Sequence, residues 1–569
     1  MMAHFTTSGK LFILRKTEAQ TLAAVQAERG AGWTKIRSLC FLSLFLVTVL
    51  GLSACSVKPQ PYTEGQLLTL AKVDQQALME GVPGLSADGK LSLEEAIIRA
   101  IAFNLDHRLA LSENILAESE RVLAAVSMLP DLSANGYFYD RSNISASTSM
   151  SFRTRRESLE PSYSSEPGRQ WGNLEFSWSI LDCGLSYYQA KQQADRVLIT
   201  MERRRRVINT IVKDVVAAYY RAYTSQKYMG RLTPLIREAE QALAMYKRIE
   251  REKAEPLQNV LENQRRLMNI IAQLKRIESD MKQAQVQLAA LCNFPLRDKF
   301  TLTSKPFPLP EMRHSIEDLE LMGLARRPEL REERYQERVD IASIKQEILK
   351  MFPAVRLLAS FNLDNNPYLV YDHWSEVGVQ VSASLLKIAG TGPKGKKAAE
   401  NRQELTQMRR LALSMATLVQ INLSLHQYNL SISEWETAGE LKLLEERLLR
   451  QVQQEVALEA DGRLTLVQQK AQTINSALSY DMSRVGAYTA LGNLYFSVGV
   501  GMADELPADA TIDEIARAVE SGLVMMASGS LPQLAVEEPV DDVEPPVVFK
   551  DGLNVNDRRA AVERNVRAK

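Results

Sequence analysis

Two stretches 223 positions apart share one pattern: LEEAIIRAIAFNLDHR at 93–108 and IEDLELMGLARRPELR at 316–331. Each opens with an acidic pair, carries apolar residues at helical spacing, and breaks at an Asx or Pro before a second helical run. At the same offset Leu129-Pro130 falls on Phe352-Pro353. Proline pushes the residue before it out of helical geometry, so both runs should stop there. Such an echo requires the chain to be read as two like units.

After each Pro the period changes from helical to alternating. In NLEFSWSILD (173–182), Leu174, Phe176, Trp178 and Ile180 alternate with Glu175, Ser177 and Ser179. In the second unit VRLLASFNLD (355–364) places Leu357, Ala359, Phe361 and Leu363 on one face. VGVQVSASLL (377–386) does the same with Val377, Val379, Val381 and Ala383. These are strands with one greasy and one wet face. The loop between the strands is long, Ser- and Arg-rich in the first unit (141–170) and shorter in the second (365–376). Alternation alone fits either a soluble sandwich or a membrane barrel.

Each unit then runs into a long helix. Ile208, Ile211, Val215, Ala218, Ala222, Ser225, Met229, Leu232, Ile236, Ala239, Leu243 and Tyr246 form a sustained seam at 3-4 spacing. The helix, expected over 187–250, would extend about 90 Å at 1.5 Å per residue. Gly230 and Pro234 should kink or loosen it. The second unit repeats the theme over 398–458, with Met408, Leu411, Met415, Leu418, Leu425 and Ile432. Polar breaks at 250–257 and 458–465 precede returning helices over 257–291 and 464–490.

The start of the chain carries an address. Lys35 and Arg37 precede CFLSLFLVTVLGLSA, a run too short and too close to a processing site to be a membrane span, ending in Leu52-Ser53-Ala54-Cys55. This resembles a bacterial lipoprotein signal peptide, in which the Cys becomes the lipidated, palmitate-bearing first residue. Ser56 in place of Asp favours outer-membrane sorting over inner-membrane retention. The length of chain ahead of the signal suggests an over-long start. Cys40 lies in the signal and Cys55 at the lipid site, so Cys183 and Cys292 are expected as free thiols.

The 569 residues carry 69 basic and 69 acidic side chains, so there is no electrostatic footprint for nucleic acid. GTGPKGKK (390–397) has the glycines of a phosphate loop, but Lys397 stands where the magnesium-binding hydroxyl belongs. It reads better as a basic strand-to-helix turn. His4, His107, His314, His373 and His426 form no metal-ligand spacing. Glu94-Glu95 fit a helix start, with Ser92 and Glu95 as a capping box. Thr511 and Glu514 repeat that device before a short helix to about residue 521, and 537–546 is acidic and Pro-rich. No catalytic group, metal or cofactor is expected.

Taken together, residues 91–499 resemble the outer-membrane efflux protein family, the TolC-like channels. The likeness rests on the doubled unit, Leu-Ser-Leu-Glu-Glu-Ala (91–96), Leu129-Pro130 and Ser-Ile-Leu-Asp-Cys-Gly (179–184). It implies an α+β membrane protein: a trimeric outer-membrane β-barrel with four strands per protomer, continued by a long periplasmic α-helical coiled-coil barrel. The chain would divide into signal peptide (1–54), lipid-anchored linker (55–90), first repeat (91–300), second repeat (301–500) and periplasmic tail (501–569). The implied partners are two further copies of the chain, a periplasmic adaptor, an inner-membrane transporter and outer-membrane lipid. Leu174, Phe176, Trp178, Ile180, Val377, Val379 and Val381 would face lipid.

At each helical tip the family carries a Gly followed six residues later by an Asp, part of an acidic gate. Here those positions read Lys253 and Asn259 in the first unit, and Gly462 and Gln468 in the second. Glu455, Glu459 and Asp461 offer a shifted charged gate. The stretches 251–257 and 459–464 would meet the adaptor. The different-class alternative is a lipid-anchored periplasmic coiled-coil adaptor or scaffold, whose strands would bury their greasy face in a protein core.

Overall fold

The computed structural model describes residues 60–79, 89–157, 160–252, 256–295, 300–303, 306–456, 462–501 and 506–532. The signal segment and Cys55 lie outside them. Residues up to Gly81 form one unit, in which α1 (Glu64–Met79) is a helix opened by reciprocal Thr63 and Gln66 hydrogen bonds at 2.9 and 3.4 Å. The second unit begins at Val82 and holds everything described below.

There the chain forms β1 (Lys90–Leu91), α2 (Leu93–Phe103), α3 (Leu105–Val126), β2 (Asp131–Asp140), β3 (Ala146–Ser147), β4 (Ser162–Tyr163), β5 (Gly168–Ser179), α4 (Ile180–Glu252) and α5 (Leu257–Leu291). It continues as β6 (Thr301–Leu302), α6 (Ile316–Arg326), α7 (Pro328–Leu349), β7 (Ala354–Asp364) and β8 (His373–Ser382). α8 (Gly392–Val456), α9 (Arg463–Val498) and α10 (Ile512–Ser528) close the described chain. α2, α3 and β2 start at 93, 105 and 131, and α6, α7 and β7 at 316, 328 and 354, each pair separated by 223.

The capping box of Ser92 and Glu95 forms, with hydrogen bonds of 2.9 and 3.1 Å. Asn104 ends α2 and caps α3 through Asp106 N at 2.9 Å, the Asx break expected there. Arg327 occupies the corresponding place, with Pro328 in the first turn of α7. Both second helices end four residues before their Pro, at Val126 and Leu349.

Two long helices dominate. α4 has 73 residues and α8 has 65, about 110 Å and 100 Å at helical rise. α4 begins seven residues earlier than the alternating pattern suggested, and it continues through Pro234 without interruption. Of the twelve seam positions on α4, ten are buried; Met229 and Leu243 pack half-buried against the same clusters. α4 packs on α3 and α7 along one part of its length and on α5 and α9 along the other. α8 packs on α7 and α9. The helices therefore lie in rows, α3–α4–α7–α8 nearer the sheet and α5–α4–α9–α8 beyond it.

The second seam is met in part: Met408, Leu418, Leu425 and Ile432 are half-buried, Leu425 and Ile432 against the main core. Leu411 and Met415 are exposed, and the buried row of α8 is Thr406, Thr417, Ile421, Tyr428 and Ser431. α8 has apolar residues on two faces, and the row that meets α7 and α9 mixes Ile421 and Tyr428 with the small polar Thr406, Thr417 and Ser431. α3 is built the same way: Ala110, Asn114, Ala117 and Ala124 are buried, while Leu109, Leu116 and Leu123 are exposed at seven-residue spacing.

The main core lies where the rows cross. Ile97, Ile101, Tyr219, Tyr220, Tyr428 and Tyr488 are all within 2% of full burial. Tyr220 and Tyr488 stack at 4.6 Å, and Tyr219 Oη donates to Leu91 O at 2.9 Å. α10 belongs to this core through Ile515, Val519 and Met526. It runs to Ser528, beyond the residue-521 end read from its pattern, and its Thr511–Glu514 capping box forms.

Candidate functional site

β2, β5, β7 and β8 make one antiparallel sheet in the order β2-β5-β7-β8. Residues directly opposite one another share a face. The register aligns Leu132 with Phe176, Ala134 with Leu174, Phe176 with Ala359, Trp178 with Leu357, Leu357 with Val379 and Ala359 with Val377. One face is therefore apolar across all four strands. The other carries Ser133, Asn135, Asn173, Glu175, Ser177, Ser360, Asn362, Glu376 and Gln380. On it Asn135 Nδ2 donates to Asn173 Oδ1 at 3.0 Å.

No part of the described chain covers the apolar face. Val377, Val379 and Val381 are 87%, 67% and 66% exposed, and Leu174 and Phe176 are exposed too. Trp178 is half-buried. Ile180 corrects the expectation: it is the first residue of α4 rather than a strand residue. The Ser179 hydroxyl accepts from Asp182 N at 3.2 Å, which starts the helix before the alternation has run out. VGVQVSASLL likewise overran its strand, which spans His373–Ser382 and therefore omits Ala383.

The strand-to-helix joint of the second unit includes a π-helical turn, Lys387–Thr391, directly before α8. A side chain on Gly392 would sit 2.5 Å from Lys387 O and 2.6 Å from Met351, so only glycine fits the tight turn. Lys396 and Lys397 pair with Glu400 at 3.7 and 3.9 Å. The GTGPKGKK run is thus a helix start and not a cradle.

At the far end of the helices, α4 stops at Glu252 and α5 begins at Leu257. Gln264 is buried and donates to Glu250 Oε2 at 2.7 Å, tying the two legs together. In the second hairpin Gln469 donates to the buried Glu445 Oε2 at 2.7 Å in the same manner. These two Gln–Glu ties were not read from the sequence, because their partners lie 14 and 24 residues apart on different helices. Asn259 is exposed, Gln468 half-buried, and Glu455 exposed with Gln451 donating to it at 3.1 Å. Gly462 precedes α9 with φ −75°. Lys253, Glu459 and Asp461 lie outside the described residues.

Between sheet and tips runs a belt of buried charge. Asp195 is fully buried and meets Arg338 Nη2 at 2.6 Å; burial holds its carboxyl above the usual range despite that partner. Glu202 is held by Arg331 at 3.0 Å, and Asp340 Oδ2 accepts from Thr406 at 2.7 Å. Among the described residues no group of acidic, His or Cys side chains could hold a metal ion. Cys183 and Cys292 are unpaired; burial pushes the Cys292 thiol up to about 12, which leaves it inert. No described helix is long and apolar enough to cross a membrane.

No protein-family profile matches the chain. Nor does any curated protein sequence. Solved structures do match. The Campylobacter jejuni CmeC outer membrane channel is similar at TM-score 0.60 and 12% identity, over 75% of this chain and 89% of that one. The open state of the Neisseria gonorrhoeae MtrE outer membrane channel is similar at TM-score 0.55 and 15% identity, over 75% and 95%. The outer-membrane channel OprN is similar at TM-score 0.56 and 14% identity, over 72% and 90%. Such identities establish architecture. The fold of this chain is that of the TolC-like outer-membrane efflux channels.

Proposed function

We propose that this chain is one subunit of a passive, trimeric outer-membrane exit duct, anchored by lipid at Cys55. Internal duplication supplies its paired strands and paired long helices. The carrying observation is the sheet: four strands in register, one face apolar and uncovered, and both edge strands, β2 and β8, open. Lipid tolerates no open edge, so such a sheet must close with other copies. Three protomers with four strands each give a barrel of twelve. A ten-residue strand rising 3.3 Å per residue and tilted by about 40° covers roughly 25 Å, the height of an outer-membrane apolar band.

The helices support the same closure. The exposed rows Leu109, Leu116 and Leu123 on α3 and Met415, Val419 and Leu430 on α8 sit at opposite ends of the helix row. A cyclic arrangement lays one against the other and removes both patches from water. In the scaffold alternative the greasy strand face would meet a protein core, and none of the described residues forms one over it.

Function then follows as conduction through a wet lumen, with no catalytic step. Cargo would be delivered by an inner-membrane transporter through a periplasmic adaptor. The adaptor would act at the tips, 251–257 and 459–464, opening a gate to which Glu455, Glu459, Asp461, Asn259 and Gln468 contribute. Conductance of the purified protein in a planar bilayer tests the reading. Discrete channel currents that rise when Glu250–Gln264 and Glu445–Gln469 are uncoupled by Gln→Leu changes are expected. A stable trimer that passes no current with either tie removed would sink it.

A further inference from the structure

The loop between β2 and β5 lies at the end of the sheet away from the helices, because β2 follows α3 and β5 leads into α4. It holds the small hairpin β3–β4, with Ala146 paired to Tyr163. At its tip Ser151 N donates to Arg156 O and Arg155 N donates to Ser151 O, both at 2.9 Å. Arg155 sits at φ 51°, a left-handed conformation that costs a residue with a Cβ some stability. The turn therefore places three guanidinium groups, Arg153, Arg155 and Arg156, within four residues, all exposed. Among the described residues no carboxylate pairs with them. The nearest acid in sequence, Glu157, accepts instead from the Thr148 hydroxyl at 3.0 Å.

The same tip presents apolar side chains outward. Phe152 is 97% exposed and Met150 is 64% exposed. The neighbouring loop adds Val370 and Tyr371, 89% and 73% exposed. The two loops are fastened together by Asn366 Nδ2 donating to Ser164 O at 2.9 Å and Tyr368 Oη donating to Glu166 at 3.0 Å. Unpaired arginines interleaved with bare aromatic and aliphatic groups suit a surface that is anionic at the headgroups and apolar just beneath.

We propose that the hairpin tip Met150–Arg156 docks on the phosphate groups of the phosphorylated glycolipid in the outer leaflet. Arginine's planar fork binds phosphate through paired charge-assisted hydrogen bonds, and Phe152 enters the acyl boundary beside it. This rests on the membrane reading above, which puts this end of the sheet at the cell surface. The commitment to a lipid-borne phosphate comes from Phe152, since a soluble anion gives an exposed phenyl ring nothing to enter.

The test titrates the purified full-length protein in detergent with diphosphorylated lipid A, with the dephosphorylated lipid and with inorganic pyrophosphate. The wild type should bind the diphosphorylated lipid, and R153Q/R155Q/R156Q should bind about tenfold more weakly, the equivalent of one or two good contacts. The dephosphorylated lipid should bind the wild type as weakly as the phosphorylated lipid binds this variant. A triple Lys variant, which keeps charge without the fork, should fall between, and Phe152→Ser should weaken binding with the arginines intact. Equal binding by the triple Gln variant overturns the proposal. So does pyrophosphate that competes as tightly as the lipid, which would mean a soluble anion. Planar-bilayer currents from the same preparations separate this from the duct reading. Unchanged conductance and ion selectivity in the triple Gln variant are expected. A shifted reversal potential with unaltered lipid binding would move the arginines to the pore mouth and overturn the proposal. Loss of all current in the wild type with lipid binding retained would instead count against the duct.

Discussion

Arg204 Nε donates to His107 Nε2 at 3.2 Å, so a buried imidazole serves as acceptor to a cation. That fixes the tautomer: Nδ1 carries the proton and donates to Ile101 O at 2.6 Å. Arg204 also donates to Pro507 O at 2.7 Å, so the contact joins the α2–α3 break, α4 and the segment before α10. Burial, with the guanidinium adding to it, lowers the His107 pKa below its ordinary value. The unfolded chain then takes up a proton that the folded chain refuses. The stabilisation is complete above the unfolded value near 6.5 and is lost as pH falls from there toward the folded pKa. Thermal melts from pH 7.5 to 5.5 should show the wild type losing more than His107→Gln, with the gap between them closing in acid. Parallel curves would remove His107 from the account.

Gly499 ends α9 with φ +75°, and a Cβ there would lie 2.6–2.7 Å from the backbone of Arg326 and Arg327. The glycine thus lets the end of α9 press against the break between α6 and α7. Gly499→Ala combines left-handed strain with a backbone clash, and should cost about 2–4 kcal/mol. Gly486, whose added Cβ meets nothing within 4 Å, is the control. Gly486→Ala in the interior of α9 should be neutral or stabilising. Urea denaturation of the two variants distinguishes them.

Asp195 and Arg338 present an asymmetric pair. The carboxylate is wholly buried, whereas the Arg338 side chain is about half exposed, at 53%. Arg338→Met leaves a charge in the interior with no partner and should destabilise by about 1–3 kcal/mol, less than a fully buried pair because water reaches the cation. Asp195→Asn removes the charge that has to be desolvated and should cost less. A double variant resembling the Asp195→Asn single would confirm that the lost partner, rather than lost packing, sets the Arg338→Met effect.

Outer rows on α3 and α8 make a separate prediction about assembly. Leu116 is 60% exposed and Met415 63% exposed in the single chain. Burying each in a closed ring would stabilise by roughly 1.5–3 kcal/mol. Leu116→Glu or Met415→Glu should therefore abolish the trimer, measured by light scattering in detergent, while far-ultraviolet dichroism keeps its helical signal. A trimer that survives both charges would place these rows away from the interface.

What could be read from residues alone was whatever repeats along the chain. The α4 seam from Ile208 to Tyr246 was legible because 3-4 spacing needs no partner to be recognised. The starts of α2 and α10 were legible because their caps are local, and that of α6 because it repeats the first unit 223 positions on. Strand ends were less so: Ser179 stops β5 by capping a helix, although Ile180 continues the alternation. The α8 seam was legible in part: Leu425 and Ile432 pack on the main core, whereas Leu411 and Met415 lie on a second apolar face that only packing tells apart. The His107–Arg204 contact, the Gln–Glu ties and the Asp195–Arg338 pair join distant positions, and no local pattern marks them.

The sheet register makes the sharpest test of which face meets lipid. Leu174 stands between Ala134 and Phe361, and Phe176 between Leu132 and Ala359, so labels at 174 and 176 report the apolar face. Glu175 stands between Ser133 and Ser360, and Asn173 between Asn135 and Asn362, so labels at 173 and 175 report the polar one. In reconstituted protein, spin labels at 174, 176, 377 and 379 should relax with oxygen, which concentrates in lipid. Labels at 173, 175 and 376 should relax with a water-soluble nickel chelate. Because a strand alternates at every residue, a one-residue error in register would invert the pattern along the whole of β5. Inversion on β5 alone would mean a slipped strand, whereas inversion on β5 and β8 together would mean a barrel that turns its apolar face inward.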